Sequence, residues 1–524
     1  MSSLSSNSAA RSKGGDLALP PVAVLAGLAA LLGLELWAYA LAGVFEYPLD
    51  DVYIHLAMAD GIASGTYGIM PGEPASASSS ILYPFLLLPF HGTELQRFLP
   101  LVWNVLALVA AAWLWGKVLV RAGLEGPAGL ALAVLGPVCL NMAGLAFLGM
   151  EHEIQLALSL AVLLGLWRYM QGGGIAGWFV AAAILAPLIR YEGLALSLGV
   201  AGLIAFTGRP RAGVLLGLGV SAPVALFSGF LMRQGLGVLP SSVVVKMDQV
   251  ALGLGPLDRV LRTFLHNIGQ PAGILVAVLT AAAGLLALGM RGQGRRALLP
   301  LLLFLCGLAH LLFGQIGWMH RYEIYIVVLL VAGLLLLLSE IAAPRVAALG
   351  GLVALVAGAQ AFLPPLLTKY VWAPRAIHLQ QGQMARFAQD YLKAPVAVND
   401  IGRVSWNNPE YVLDLWGLAS IQARRIRTAV PPPHRGWAGP LAEAHGVEAA
   451  MIYNGWVADA LPPSWVPLAD LEMTPERGAL SRVYDVTFYA AGPQDVARVI
   501  AALKAFAPTL PAGAHLALTG PAMK

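Results

Sequence analysis

Residues 19–60 read LPPVAVLAGLAALLGLELWAYALAGVFEYPLDDVYIHLAMAD. The opening run is apolar apart from Glu35, and it exceeds the roughly 20 residues a helix needs to cross a bilayer. Two adjacent carboxylates, Asp50 and Asp51, follow within a few residues, at the expected edge of the membrane. An ionised group at a helix centre costs about 2.5 to 3.5 kcal/mol, and less toward the interface, so those present there usually have a task. Pro48 precedes the pair, and Val52, Leu56, Ala59 and Ala63 recur at helical spacing. This predicts a short amphipathic helix from about Asp51, lying on the membrane surface. Neighbouring helical residues point about 100° apart, so the two carboxylates do not aim at one atom. One is read as a base and the other as a cap or orienter; capping of the helix by both is the plain structural alternative.

The whole chain supports a membrane reading. Its 524 residues are 58% hydrophobic and 11% charged, with a mean hydropathy of +0.73, whereas a soluble domain carries about 25% charged residues. An ordinary soluble protein is excluded. The net charge of +4 comes from basic residues placed between apolar runs, which reads as topology and not as nucleic-acid binding. Cys139 and Cys306 lie inside apolar segments and read as core residues. The Ser-rich start, with Arg11 and Lys13, leads into an apolar run too long for a signal peptide, so that run is expected to stay as the first span.

Apolar runs place eleven helices near 19–44, 98–116, 127–148, 154–168, 175–189, 191–207, 213–232, 270–290, 297–316, 322–341 and 346–363. Arg190 and Glu192 split residues 178–206 into two short halves, either two short helices or a re-entrant hairpin. With residues 1–18 as a cytoplasmic tail, Lys117, Arg121, Arg168, Arg209, Arg211, Arg291, Arg295, Arg296 and Arg345 all fall on inner turns, as the positive-inside rule asks. The first outer loop (45–96), the Met150-Glu-His-Glu153 turn, Arg190, the 233–268 loop, His320, Arg321 and the C-terminus then lie outside. The helical module occupies residues 19–365. From Leu366 the composition turns polar and Pro-rich, predicting an external α/β domain over 366–524, with strands at 396–399, 411–414, 450–453 and 482–489 and a helix over 495–506. The chain has no P-loop, no GxGxxG and no zinc spacing.

Several short motifs then occur in order: Asp50-Asp-Val-Tyr-Ile-His55, an Ala-x-Gly, Pro71-Gly-Glu73 with a Ser-rich stretch to Ser80, Gly149-Met-Glu-His152, Ile189-Arg-Tyr-Glu-Gly193, Leu239-Pro-Ser-Ser-Val-Val-Val-Lys246, His320-Arg-Tyr322, Val398-Asn-Asp-Ile-Gly402 and Leu413-Asp-Leu-Trp-Gly-Leu418. Over residues 46–418 this series resembles the GT-C glycosyltransferases, in particular the branch that includes mycobacterial terminal arabinofuranosyltransferases. Tyr191 stands where the family usually has Pro, and Ser242 where it has Asn.

The resemblance implies a GT-C-like, multi-pass enzyme of the bacterial inner membrane and cell envelope. It would move a sugar from a polyprenyl-phosphate donor to a hydroxyl of a glycan, lipid or protein acceptor, with inversion and on the outer face. Asp50 or Asp51 would be the general base. Arg190, Lys246, His320 and Arg321 would meet the donor phosphate, and Tyr53, His55, Glu73, Glu151 and Glu192 would be further substrate contacts. No cofactor is obligatory in this reading, and a divalent cation is left open. The chemistry fits the residue types independently, because a nucleophilic hydroxyl needs a base and a departing phosphate needs cations. Pairing of the arginines with Glu151, Glu192 or Glu323 is the structural alternative for those cations. The Gly65–Ser80 stretch is either a loop that orders over substrate or a passive surface loop. A lipid or sugar transporter and a non-catalytic sensor are the competing classes; a transporter would be expected to show paired halves and polar helices near the midplane.

Overall fold

The computed structural model describes residues 18–241, 255–429, 434–474 and 485–523. Among them nine helices are long and apolar enough to cross a membrane, starting with Leu19–Ala42 and ending with the helix that begins at Pro344. The halves around Arg190 are helices Gly177–Ile189 and Gly193–Phe206, of 13 and 14 residues, each covering about 20 Å at 1.5 Å per residue. The first loop fills in over the first of them, since the N–H groups of Ile81 and Leu82 both donate to Leu188 O at 3.1 Å.

Helices that are apolar on every side take the centre. In Ile324–Ile341 all residues from Ile324 to Leu337 are buried, whereas Leu19–Ala42 and Pro210–Arg233 turn Leu25, Leu215 and Leu226 outward, an apolar exterior suited to lipid. Small residues let the helices approach. A Cβ on Gly136 would lie 2.3 Å from Trp115 Nε1, and that indole donates to Leu132 O at 2.9 Å, so two neighbouring helices lock without leaving a buried donor unpaired.

The C-terminal region carries a six-stranded sheet in the order β2-β1-β3-β5-β4-β6. The strands are β1 Val396–Val398, β2 Val412–Asp414, β3 Ala449–Tyr453, β4 Val466–Met473, β5 Val486–Ala490 and β6 Ala514–Leu518. β1 runs parallel to β2 and β3, and the remaining pairs are antiparallel. Four strands answer the expectation; β4 and β6 were not foreseen.

The sheet domain is fastened to the first loop and to the end of the first helix. Trp406 Nε1 donates to Gln96 Oε1 at 2.8 Å, Arg375 Nη1 to Leu41 O at 3.2 Å, and Tyr411 Oη to both carboxylate oxygens of Glu73 at 3.0 Å. This docking corrects the expectation of a surface-lying amphipathic helix. The Asp51–Ala63 helix exists, but Val52 to Ala59 are all buried, because apolar residues occupy every side of it and protein covers them all. The Ser-rich stretch is no passive surface either. Ser76 to Ser80 are buried, with Ser76 bonded to Ser241, Ser78 to His55 and Ser79 to Glu151 at 3.0, 3.0 and 2.8 Å.

Candidate functional site

Asp50 and Asp51 part company as helical geometry requires. Asp50 stands at the start of the Asp51–Ala63 helix without capping it. Its carboxylate reaches into the C-terminal domain instead, where Oδ2 accepts the Gly402 N–H at 2.6 Å and Oδ1 the Arg403 N–H at 2.8 Å. Only glycine fits at 402, since a Cβ there would lie 2.1 Å from Asp50 O. Asp50 is 6% exposed and stands within hydrogen-bonding reach of Asp400, whose other partner is Gln381 Nε2 at 2.8 Å. Burial raises both carboxyls above the ordinary range, Asp400 to about 6; contact with Asp400 pushes Asp50 further up, whereas the bonds from Asp50 and Gln381 pull Asp400 back down.

Asp51 points the other way and accepts from Arg321 Nη2. Its side chain is 30% exposed, while that of Arg321 is 1% exposed. Arg321 also donates from Nη2 to Tyr322 Oη at 2.9 Å, and its Nε and Nη1 are buried without a hydrogen-bond partner among the described residues. A guanidinium with unspent donors beside a cavity is suited to an anion.

The backbone that presents Arg321 is unusual. Gly317, Trp318, Met319 and His320 have φ of 99°, 43°, 63° and 57°, a left-handed turn that costs L-residues roughly 1 to 2 kcal/mol each. Glu323 holds it by accepting the Gly317 N–H at 3.1 Å and facing His320 Nδ1 at 2.6 Å. Outliers of this kind cluster at functional sites.

These groups border a cavity of about 640 Å³ between the helical module and the C-terminal domain. Asp50, Asp51, Arg321 and Asp400 share its wall with Gln380, Gln381, Asn399 and the aromatic rings of Trp318, Trp416, Tyr453 and Trp456. Gln315 and Tyr322 also line a second cavity of about 320 Å³, which runs along Leu194, Ala309 and Phe313 and is mostly apolar.

The other expected site residues are placed as follows. Arg190 spends all three guanidinium nitrogens on carboxylates: Nη1 on Glu151 at 2.9 Å, Nε and Nη2 on Glu192 at 3.1 and 2.5 Å. Arg190 and Glu192 border the smaller cavity, and His55 Nε2 faces Glu151 at 3.3 Å. His55 and Glu151 are buried and line neither cavity. His320 is packed on Phe362 and Tyr370. Tyr53 bonds Glu46 and accepts from Arg97 Nε at 3.0 Å, away from both cavities. Glu73 sits at the docking seam with Tyr411, and Lys246 lies outside the described residues. Among the described residues no group of three or more His, Cys, Asp or Glu is arranged to hold a metal ion.

Sequence reading missed Asp400, Gln381 and Tyr453 as site residues. Asp400 had a signal, the Val398–Gly402 motif; Gln381 and Tyr453 had none, because only the docking of the domains brings them to Asp50. A family model described as a domain of unknown function (DUF8728) matches residues 373–489, the part of the chain that supplies Asp400, Gln381 and Tyr453. No curated protein and no solved structure matches the chain.

Proposed function

We propose that the chain is a GT-C-like inverting glycosyltransferase of the bacterial inner membrane, moving a sugar from a polyprenyl-phosphate donor to an acceptor hydroxyl on the outer face. The observation that carries this reading is the meeting, on one cavity wall, of the Asp50/Asp51 pair with a buried arginine that has donors to spare. The ordered motifs over residues 46–418 add to it. Aromatic rings interleaved with amides and carboxylates suit a small polar ligand with apolar faces, as sugars have.

Asp51 is the base in this reading, because it is the more exposed carboxylate and Asp50 is tied to two backbone N–H groups. The acceptor oxygen attacks the anomeric carbon as its proton passes to Asp51, and the bond from that carbon to the phosphate oxygen breaks, with its electron pair staying on the phosphate. A single displacement inverts the anomeric centre. Arg321 takes up the charge that develops on the departing phosphate. Donor arrival also draws Arg321 away from Asp51 and so frees the base. The apolar cavity beside Tyr322 suits the first isoprene units of the donor, and the basic residues of the turns read as inner favour an outer-face cavity.

The test is turnover by the purified full-length protein in lipid nanodiscs, with a panel of polyprenyl-phosphate sugars and glycan, lipid and peptide acceptors. Mass spectrometry is expected to find a glycosylated acceptor and free polyprenyl phosphate in equal amounts. Transport of an intact donor across the bilayer without transfer would overturn the reading in favour of a flippase.

A further inference from the structure

The C-terminal domain brings a carboxyl of its own to the cavity, and that carboxyl meets another. Asp50 and Asp400 are within hydrogen-bonding reach, and ionised carboxylates only accept, so a bond between two of them requires a proton on one. We infer that Asp400 is a positioning residue of the transfer site, sharing one proton with Asp50 so that the pair bears a single negative charge beside Asp51 and Arg321. The inference rests on the sugar-transfer reading of the cavity.

The surroundings are built for such a pair. The N–H groups of Gly402 and Arg403 hold both oxygens of Asp50, and Gln381 holds Asp400. Gln381 is 8% exposed, and its Oε1 has no hydrogen-bond partner among the described residues. With Nε and Nη1 of Arg321, this leaves both an acceptor and donors on the wall for a ligand. The ionisable groups facing the pair are Asp51, Asp414 and Tyr453, with Arg403, whose guanidinium lies 5.1 Å from the ring centres of Tyr53 and Trp406. Burial opposes ionisation of Asp400 most, the bonds to Asp50 and Gln381 favour it, and Asp51 and Asp414 oppose it. The two carboxyls titrate as one unit.

Loss of the shared proton leaves Asp50, Asp51 and Asp400 all ionised around Arg321, the cation that receives the donor phosphate. Donor use therefore declines as pH rises through the pair's ionisation. Asp400→Asn leaves Asp50 charged and able to accept from the amide, so the pair's charge is kept while its proton is removed.

Two measurements on the full-length protein in nanodiscs decide this. Infrared difference spectra between acid and alkaline pH should contain a protonated-carboxyl C=O band that is missing from Asp50→Asn and from Asp400→Asn alike; a band intact in either variant overturns the shared proton. The donor kcat/KM of the wild type should fall about tenfold per pH unit beyond the pair's ionisation. Asp400→Asn should flatten this limb, and Asp400→Glu should restore it at a shifted midpoint. An unchanged limb in Asp400→Asn overturns the positioning role. If the wild type transfers no sugar while the band behaves as expected, the transfer reading fails and the shared proton stands.

Discussion

Two arginines, Arg190 and Arg321, sit in neighbouring cavities that meet at Tyr322, both buried and both beside acidic residues. They differ in what they have left to give. Every guanidinium nitrogen of Arg190 is bound to Glu151 or Glu192, whereas Arg321 bonds through Nη2 alone among the described residues. Arg190 therefore closes a polar knot that ties the first loop to the junction of two short helices, and Arg321 stands ready for an incoming anion. Charge at a membrane edge does not by itself mark a site; unspent hydrogen-bonding capacity on a cavity wall does.

The sharpest way to break this contrast starts at Asp51. Asp51→Asn should lower transfer by about 100- to 10,000-fold, the usual cost of losing a general base, with the folded fraction in detergent retained. Wild-type turnover would remove Asp51 from the chemistry. Arg321→Ala should cost donor kcat/KM on the order of 2 to 5 kcal/mol, roughly 30- to 5,000-fold, and affect acceptor KM much less. Arg190→Ala should instead lower stability by about 3 to 5 kcal/mol, since it strands the buried carboxylate of Glu151 and unpairs the partly exposed Glu192. Thermal unfolding of both variants checks this pair, and a stable Arg190→Ala protein with a specific donor defect would make the two arginines alike. Gly402→Ala should destabilise the docking of the C-terminal domain by about 1 to 3 kcal/mol, read as faster proteolysis between the domains. Glu73→Gln should be the mildest, at less than about 1 kcal/mol of stability, because its side chain is 34% exposed. A rate loss matching that of Asp51→Asn would bring Glu73 back to the cavity.

The helices were legible because a spanning segment announces itself by apolar length, and the break at Arg190 was visible for the same reason. The amphipathic reading of residues 51–63 failed because Val52, Leu56 and Ala59 form a stripe only if Tyr53, Ile54 and Met58 are disregarded, and these are buried as well. β4 carries Pro467 within the strand and a register shift beside it, which breaks the period of two. β6 is a five-residue strand in which only Leu516 is buried and His515 is exposed, so no buried face marks it. In the site, the acidic pair and Arg321 could be read locally. The left-handed turn at 317–320 could not, since Trp and Met carry no preference for positive φ and a single His, though enriched there, does not mark a run of it.

The bond from Asp50 to Gly402 spans 352 positions, and that span sets an order of events during synthesis. At translation rates of about 5 to 20 residues per second, the first loop waits roughly 20 to 70 seconds before its partner segment leaves the ribosome. A half-made chain thus holds its carboxylate pair with no wall opposite. Closure of the cavity is therefore tied to the arrival of the C-terminal domain, which supplies Gln381, Asp400, Trp416 and Tyr453 to its wall.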